Sequence, residues 1–296
     1  MKDYLQNCRI QELPGFSDSP ISVAALRLDL LHTVVSGNKW FKLRYYLEEA
    51  RSLNKTHIAT FGGAYSNHII ATAFAAKEAG LNSMGFIRGE ETAKPSSTIR
   101  EARALGMEMF FISRDAYKDK EQIIEQYKQP GIFWIQEGGY GFTGARGAAT
   151  ILDIKGTDQY THILCATGTG TMMAGLIKAA RPGQEIIGIS VLKNHLSLEK
   201  EVRALLNETE NEKPFSFIHG YHFGGYAKHP PELIHFMKEV WEKWQVPTDI
   251  VYTSKLFFAA TDLLQKKCFL QESRVLIVHS GGLQGNQSLP FNTLPF

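Results

Sequence analysis

The chain has 296 residues, about twice the usual length of one domain, so two lobes are expected before any motif is considered. The 32 Lys and Arg residues against 30 Asp and Glu residues give a net charge of +2 and form no basic block, which excludes nucleic acid and an acidic membrane as partners. Hydrophobic residues make up 44% of the chain and charged residues 21%, a composition that is ordinary for a globular protein and too apolar for a disordered one.

The start of the chain mixes charged and polar residues and lacks the apolar segment of a secretory signal, and no run of 18 apolar residues follows. Cys8, Cys165 and Cys268 are far apart and form no C-x-x-C pair, which argues against a disulfide framework. The closest histidines, His219 and His222, have no carboxylate or thiolate beside them. We therefore predict a cytoplasmic protein without a membrane span or a metal centre.

Two lysines near the N-terminus form the first candidate site. Lys39 and Lys42 are three residues apart, so they are neighbours on one face of a helix. They could form an ordinary solvated basic turn, but they follow Ser-Gly-Asn and adjoin Trp40 and Phe41. A lysine buried against aromatic rings beside a second cation has a lowered pKa and can act as a Schiff-base nucleophile.

From residue 57 onward, short apolar runs alternate with amphipathic stretches. One series has the runs HIATF, SMGFI, MEMFFIS and IFWIQ, and a later series has THILCAT, EIIGISV, DIVYT and RVLIVHS. Such alternation is typical of βαβ units, so we predict an α/β fold with two lobes, each with a parallel twisted sheet flanked by helices. Residues 137–147, EGGYGFTGARG, lose both periodicities and are predicted to cross between the lobes.

Glycines and polar residues follow several predicted strands, at the edge where an open α/β sheet binds its ligand. After HIATF come two glycines and then Ser66, Asn67 and His68. Ser66 and Asn67 could simply cap a helix, which is the usual role of an isolated Ser-Asn pair. Three polar groups directly behind Gly-Gly favour a ligand site instead.

A second loop of this kind is Gly168-Thr169-Gly170-Thr171, which follows an apolar strand and opens a helix. The free N–H groups and the dipole of a helix start bind an anion such as phosphate. A Walker A loop would need Lys-Ser/Thr after its last glycine, and a dinucleotide loop would need Gly or Ala where Met173 stands. A small monophosphate remains, as does simple capping of the helix by the threonines.

Together these motifs resemble those of one family, in the order expected for it. They are Ser-Gly-Asn-Lys39-x-x-Lys42-Leu, Gly-Gly-x-x-Ser66-Asn67-His68, the loop at 168–171, Tyr221-His-Phe-Gly-Gly-Tyr226, Val251-Tyr252 and His279-Ser-Gly-Gly282. From about residue 30 to 285 the chain resembles the pyridoxal-phosphate enzymes of the 1-aminocyclopropane-1-carboxylate (ACC) deaminase and D-cysteine desulfhydrase family. The resemblance implies a tryptophan-synthase-β-like fold and a homodimer. We accordingly expect a large cofactor-binding domain of residues 1–42 and 148–296, with residues 43–147 inserted as a small domain.

The resemblance also implies how pyridoxal 5′-phosphate is held. Lys39 would bind it covalently through an imine, and the freed amine would later move a proton. Lys42 and the backbone N–H groups of the loop at 168–171 would contact the phosphate, and Asn67 would hydrogen-bond the ring hydroxyl. The expected cofactor-binding residues are Lys39, Lys42, Asn67, Gly168, Thr169, Gly170, Thr171, Tyr252 and Ser280.

The substrate implied by the resemblance is a small amino acid. Ser66, Asn67 and His68 would bind it, Tyr252 would lie against the pyridine ring, and Tyr226 would reach the substrate. The expected catalytic residues are Lys39, Ser66, Tyr226 and Tyr252.

The sequence departs from the family pattern beside the pyridine nitrogen. ACC deaminases have Glu after the tyrosine matched by Tyr252, and this chain has Thr253, with Ser280 as a second hydroxyl candidate. A hydroxyl there leaves the nitrogen largely neutral and the electron sink weaker than a carboxylate would. This favours β-elimination as in D-cysteine desulfhydrases, giving a 2-oxo acid and ammonia. ACC deamination and a non-catalytic binding protein are the alternatives.

Two further departures add aromatic bulk near the expected site. Tyr65 precedes Ser66 where the family more often has Gln, and Trp40-Phe41 separate the two lysines where smaller or basic residues are usual. The substrate, and its D- or L-stereochemistry, therefore stay open.

Overall fold

The computed structural model describes residues 4–16 and 20–296, so the first three residues of the expected large domain lie outside it. Two sheets are formed by the strands β1 (Ile10–Glu12), β2 (Ser22–Arg27), β3 (His57–Gly63), β4 (Asn82–Arg88), β5 (Met107–Ile112), β6 (Ile132–Ile135), β7 (His162–Thr167), β8 (Glu185–Ser190), β9 (Phe215–Ile218) and β10 (Arg274–His279). The helices are α1 (Asn38–Ser52), α2 (Asn67–Glu78), α3 (Ser97–Ala104), α4 (Lys120–Gln126), α5 (Phe142–Ala149), α6 (Thr171–Ala179), α7 (Leu198–Arg203), α8 (Glu208–Asn211), α9 (Pro231–Trp244) and α10 (Thr253–Gln265). None of these helices is long and apolar enough to span a membrane.

The larger sheet has the strand order β1-β2-β10-β7-β8-β9. All neighbours are parallel except β1 and β2, which pair antiparallel at one edge. The central strands are continuous apolar runs because both faces are covered, as is usual for parallel sheets. Helices α1, α5 and α6 pack on one face, and α9 and α10 pack on the other.

The smaller sheet has the order β5-β4-β3-β6 and is parallel throughout. Phe61, Phe86 and Trp134 pack together on one face, with ring centroids 5.0 to 5.6 Å apart. Helices α2 and α3 cover the other face. The predicted α/β architecture, with two mainly parallel sheets flanked by helices, is confirmed.

One prediction about local structure is wrong. DIVYT is not a strand, because the carboxylate of Asp249 accepts the backbone N–H groups of Val251, Tyr252 and Thr253 and so turns the chain into α10. Residues 137–147, which are predicted to cross between the lobes, contain most of α5. The small residues of α5 pack directly on other backbones, with Gly147 against the carbonyl group of Phe41.

Candidate active site

A cavity of about 730 Å³ lies where the carboxyl ends of β3, β4, β7 and β10 meet, the expected ligand position in parallel sheets. Its volume is typical of a small-molecule site, about 300–1,000 Å³. The predicted residues that line it are Lys39, Lys42, Ser66, Asn67, His68, Gly168, Thr169, Gly170, Tyr226, Tyr252 and Ser280. A neighbouring cavity of about 870 Å³ shares only Tyr65 with this one and is lined mainly by residues 286–296.

The start of α1 sets the position of Lys39. Gly37 precedes the helix with φ +66°, and a Cβ atom there would stand 1.8 Å from the carbonyl oxygen of Ser280. The next residue, Asn38, donates its backbone N–H to that same oxygen at 3.1 Å. Only glycine permits this approach, which fastens α1 to the end of β10 and directs Lys39 towards the cavity. There its Nζ donates to Oδ1 of Asn38 at 3.0 Å.

The pKa of both lysine amines is lowered. Burial lowers the pKa of Lys39 to about 8, and the nearby Asp249 carboxylate opposes this shift. Lys42 is 3% exposed and donates to the carbonyl of Gly138 at 3.2 Å. Burial, and then the charge of Lys39, keep the Lys42 pKa well below its ordinary value. An anion bound between them would favour the protonated form of Lys42.

The Ser-Asn-His motif stands at the start of α2. Oγ of Ser66 accepts the backbone N–H of His68 at 3.2 Å, so Ser66 does cap the helix while it also borders the cavity. Nδ2 of Asn67 donates to the carbonyl of Gly282 at 3.0 Å. Its Oδ1 is buried with no hydrogen-bond partner in the described part of the chain. Asn67 therefore keeps hydrogen-bonding capacity for a ligand.

His68 is a neutral side chain of known tautomer in this arrangement. The hydroxyl of Thr60 donates to the carbonyl of Ile135 at 2.8 Å, so it can only accept from Nε2 of His68, which lies 2.9 Å away. Burial and the charges of Lys39 and Lys42 keep the His68 pKa well below its ordinary value. Nδ1 is then a buried acceptor without a partner among the described residues.

The glycine-threonine loop lies at the start of α6. Gly170 has φ +74°, which glycine adopts without strain, and a Cβ on Gly168 would come within 3.2 Å of the Tyr252 ring. The side chain of Thr171 is fully buried and lies outside the cavity wall, with its hydroxyl 3.1 Å from that of Thr169. Thr171 therefore offers only its backbone N–H, as the anion site requires.

Two tyrosines also line the cavity. The rings of Tyr226 and Tyr252 are nearly perpendicular, with centroids 6.4 Å apart. Burial is the main cause that raises the pKa of both, so both hydroxyls keep their protons at neutral pH.

The two hydroxyl candidates beside the pyridine nitrogen are placed differently. Ser280 borders the cavity. Thr253 is fully buried outside it, and its hydroxyl donates to Oδ1 of Asp249 at 2.7 Å. Both oxygens of Asp249 are occupied by the turn that starts α10. Of the two hydroxyls, Ser280 is therefore the one that a ligand can meet.

Several polar residues of the cavity wall escaped the sequence analysis. They are Asn38, Arg88, Glu137, Tyr140, His195 and Glu201. Arg88 ends β4 and Glu137 follows β6 closely, so the strand-end argument that was applied to the glycines would have found both. His195 and Glu201 pair at 3.1 Å and carry no such signal, because a turn and α7 bring them to the loop at 168–171.

The residues present fit a ligand with an aldehyde, a phosphate and a ring hydroxyl. The partly neutral amine of Lys39, the helix start at 168–171, the amine of Lys42 and the unsatisfied Oδ1 of Asn67 share one cavity. Unpaired buried polar atoms are costly, so the side chain of Asn67 is satisfied only when a ligand supplies its partner. Pyridoxal phosphate has all three groups.

Comparison with known proteins also indicates a pyridoxal-phosphate site. The family model described as "Pyridoxal-phosphate dependent enzyme" matches residues 2–281. A Thermotoga maritima protein named "Putative 1-aminocyclopropane-1-carboxylate deaminase" is 30% identical over 94% of this chain and 92% of that protein. An Arabidopsis thaliana protein named "Bifunctional D-cysteine desulfhydrase/1-aminocyclopropane-1-carboxylate deaminase, mitochondrial" is 27% identical over 88% of this chain and 72% of that protein.

Solved structures are similar over almost the whole chain. The crystal structure of an ACC deaminase homologue has a TM-score of 0.83 at 27% identity and covers 95% of this chain and 90% of that one. A hydrogen sulfide-producing enzyme from Fusobacterium nucleatum has a TM-score of 0.72 at 12% identity, with 98% of both chains covered. At such low identity the second likeness concerns the fold alone.

Proposed function

The chain belongs to the family of pyridoxal-phosphate dependent enzymes, and on that premise we propose β-elimination from a small amino acid, most simply D-cysteine, as its reaction. The tryptophan-synthase-β-like fold, the cofactor and the enzymatic character expected from the sequence are confirmed. A relative named as both a D-cysteine desulfhydrase and an ACC deaminase supports the proposed class of substrate. The products would be a 2-oxo acid, ammonia and the β-substituent.

The cofactor-binding residues predicted from the sequence each have a proposed place around the cofactor. Lys39 would bind the aldehyde carbon, and the loop at 168–171 with Lys42 would hold the phosphate. Asn67 would meet the ring hydroxyl with its free amide capacity, and Tyr252 would lie against the ring. Ser280 would face the pyridine nitrogen. The geometry that supports these roles is the common cavity, together with the unsatisfied Oδ1 of Asn67.

The chemistry that the cofactor supplies is an electron sink for the Cα–H bond of the bound amino acid. The amine of Lys39 would take the Cα proton, since with a pKa of about 8 roughly one molecule in ten is neutral at pH 7. The hydroxyl of Tyr226 would give a proton to the departing β-substituent. Ser66 and His68 would orient the substrate, and water would then release the 2-oxo acid and ammonia.

The observation that carries the choice of reaction is the hydroxyl at Ser280. The buried carboxylate of Asp249 is committed to the start of α10, and Ser280 borders the cavity, so we assign the pyridine nitrogen the hydroxyl of Ser280 as its partner. A weaker electron sink suffices when the β-substituent is a good leaving group such as a thiolate. Opening of the cyclopropane ring is the second candidate, and the names of the T. maritima and A. thaliana proteins favour it.

The test is a substrate panel with the purified holoenzyme. D-cysteine, D-serine, ACC and the L-isomers are offered, and pyruvate, 2-oxobutyrate and sulfide are measured. D-cysteine should give equal amounts of pyruvate and sulfide. Turnover of ACC alone would establish the second candidate, and no turnover of any of them would overturn β-elimination from small amino acids.

Domain division and assembly follow from the same proposal. Residues 1–42 and 148–296 would form the cofactor-binding domain, residues 43–147 the inserted small domain, and two chains a homodimer. The two separate sheets support the division, since every strand of the smaller one lies within residues 43–147.

A further inference from the structure

The loop at residues 221–228, here called the tyrosine loop, carries Tyr226 to the cavity in a strained backbone. Phe223 and Ala227 have φ of +51° and +54°, and the two glycines between them also have positive φ. Residues other than glycine rarely adopt such angles, so the loop needs external contacts to keep its shape. Tyr226 itself is half-exposed, and no backbone pairing of a sheet holds it.

A buried lysine beneath this loop supplies such contacts. Lys255 lies in the first turn of α10 and is 0% exposed. Its Nζ donates to the carbonyl oxygens of His222 at 3.0 Å and of Gly225 at 2.7 Å. The second acceptor directly precedes Tyr226. The amine thus joins α10 to both ends of the turn that presents the tyrosine.

An ammonium group at this place is unfavourable by itself. Burial lowers the pKa of Lys255 to about 8, although the Asp249 carboxylate opposes the shift. Among the described residues Lys255 has no ion pair, since the oxygens of Asp249 accept from the turn that starts α10. The first turn of a helix also disfavours a cation. A methionine of similar length would avoid both costs. What a methionine could not supply is the pair of hydrogen bonds to the tyrosine loop.

We propose that Lys255 is a positioning residue, which holds the tyrosine loop so that the Tyr226 hydroxyl stands at the substrate side of the cavity. The proposal rests on the proposed function of Tyr226 as proton donor. Lys255 does not border the cavity, so it acts only through the loop. Its removal should therefore affect steps that use Tyr226 and leave cofactor binding almost unchanged.

The first test is hydrogen exchange of the holoenzyme, which needs no substrate. In Lys255→Met the backbone amides of the tyrosine loop should exchange at least about tenfold faster, with amides of the small sheet unchanged. Lys267→Met is the matched control, because Lys267 follows the same helix with an exposed side chain. Unchanged exchange in the loop would overturn the proposal, whatever the enzyme's substrate proves to be.

The second test is a double-mutant cycle with Tyr226→Phe. Lys255→Met should lower kcat about tenfold and change the cofactor Kd by less than about twofold. In the Tyr226→Phe background the same substitution should have almost no further effect on kcat, because its effect passes through the hydroxyl. Equal effects in both backgrounds would overturn the proposal. An inactive wild type would contradict only the proposed reaction.

A second variant covers the case in which Lys255→Met does not yield folded holoenzyme. Lys255→Gln is shorter and neutral, so it can reach one of the two carbonyls at most. Faster exchange in the tyrosine loop, with a fall in kcat of at least about threefold, is expected. Wild-type exchange and kcat in this variant would show that the double contact is not needed.

Discussion

Substitution of Gly37 by alanine tests how Lys39 is positioned. A left-handed φ costs an L-residue about 1–2 kcal/mol relative to glycine. The new methyl group would also stand 1.8 Å from the carbonyl oxygen of Ser280, where ordinary contact begins near 3.4 Å. The helix start and the strand end must therefore move apart by roughly 1.6 Å. This breaks the hydrogen bond from Asn38 to Ser280, which is worth about 1 kcal/mol.

We expect Gly37→Ala to lower the free energy of unfolding by about 2–3 kcal/mol. Gly80→Ala is the matched control, because Gly80 has φ +70° and an added Cβ there would meet no atom within 4 Å, so it should cost only about 1–2 kcal/mol. The assay is urea unfolding of the cofactor-free protein followed by circular dichroism, so that ligand binding does not add to stability.

The same substitution should also reduce the cofactor content of the purified protein, because Lys39 lies two residues further along the displaced chain. Cofactor content is measured by visible absorbance, and Gly80→Ala should retain the wild-type value. If both variants lose equal stability and Gly37→Ala keeps its cofactor, the close approach to Ser280 does not position Lys39, and the reasoning fails.

Three further predictions concern the same site. In the wild type, borohydride should remove the visible absorbance of the bound cofactor. Lys39→Ala should lack this absorbance from the start, whereas Lys267→Ala should keep it. A borohydride-sensitive band in Lys39→Ala would show that the cofactor is linked to another residue. As the pH rises, capture of added cofactor by the cofactor-free protein should become faster with a midpoint near pH 8, and a midpoint near 10.5 would contradict the burial of the Lys39 amine. The free energy of unfolding should rise between about pH 8 and 10.5, because in that range the unfolded chain holds more protons on Lys39 and Lys255 than the folded chain does. Ser280→Ala should lower turnover more than cofactor retention, and unchanged kinetics would remove Ser280 from the pyridine nitrogen. Thr253→Ala should cost about 1–3 kcal/mol of stability, because it removes one hydrogen bond to Oδ1 of Asp249 and leaves the buried backbone N–H of Asp249 without its acceptor.

The alternation of apolar runs predicted the parallel sheets correctly. It failed where a side chain binds the backbone and so fixes the local structure. DIVYT has the composition of a strand, yet the carboxylate of Asp249 binds three successive N–H groups and bends the chain. A local hydrogen bond of this kind leaves no trace in hydrophobic periodicity. Similarly, the buried residues of α5 are glycines and alanines, which let it approach α1 and α6 closely but do not form a stripe of large apolar residues in the sequence.

The site motifs were visible in the sequence because each depends on a short stretch of backbone. The motifs are two lysines at helical spacing, polar residues at the start of α2, and a glycine-threonine loop at the start of α6. The local geometry within each motif does not depend on where the motif lies in the fold. Arg88 and Glu137 escaped notice although they stand at strand ends, because charged residues there are also ordinary surface residues. The role of Lys255 was not predicted, because a single lysine in a helical stretch usually has an exposed side chain.

The sequence by itself determined the α/β alternation and the family, and it singled out Lys39 as the candidate for the reactive lysine, because these depend on local spacing and on side-chain chemistry. Only the tertiary structure decided that Ser280 rather than Thr253 reaches the cavity, that Gly37 must pass against a strand end, and that Lys255 supports the tyrosine loop. The physical reason is that each of these depends on distances between residues far apart in the chain. Such distances are set by the packing of helices on sheets, which no local pattern records.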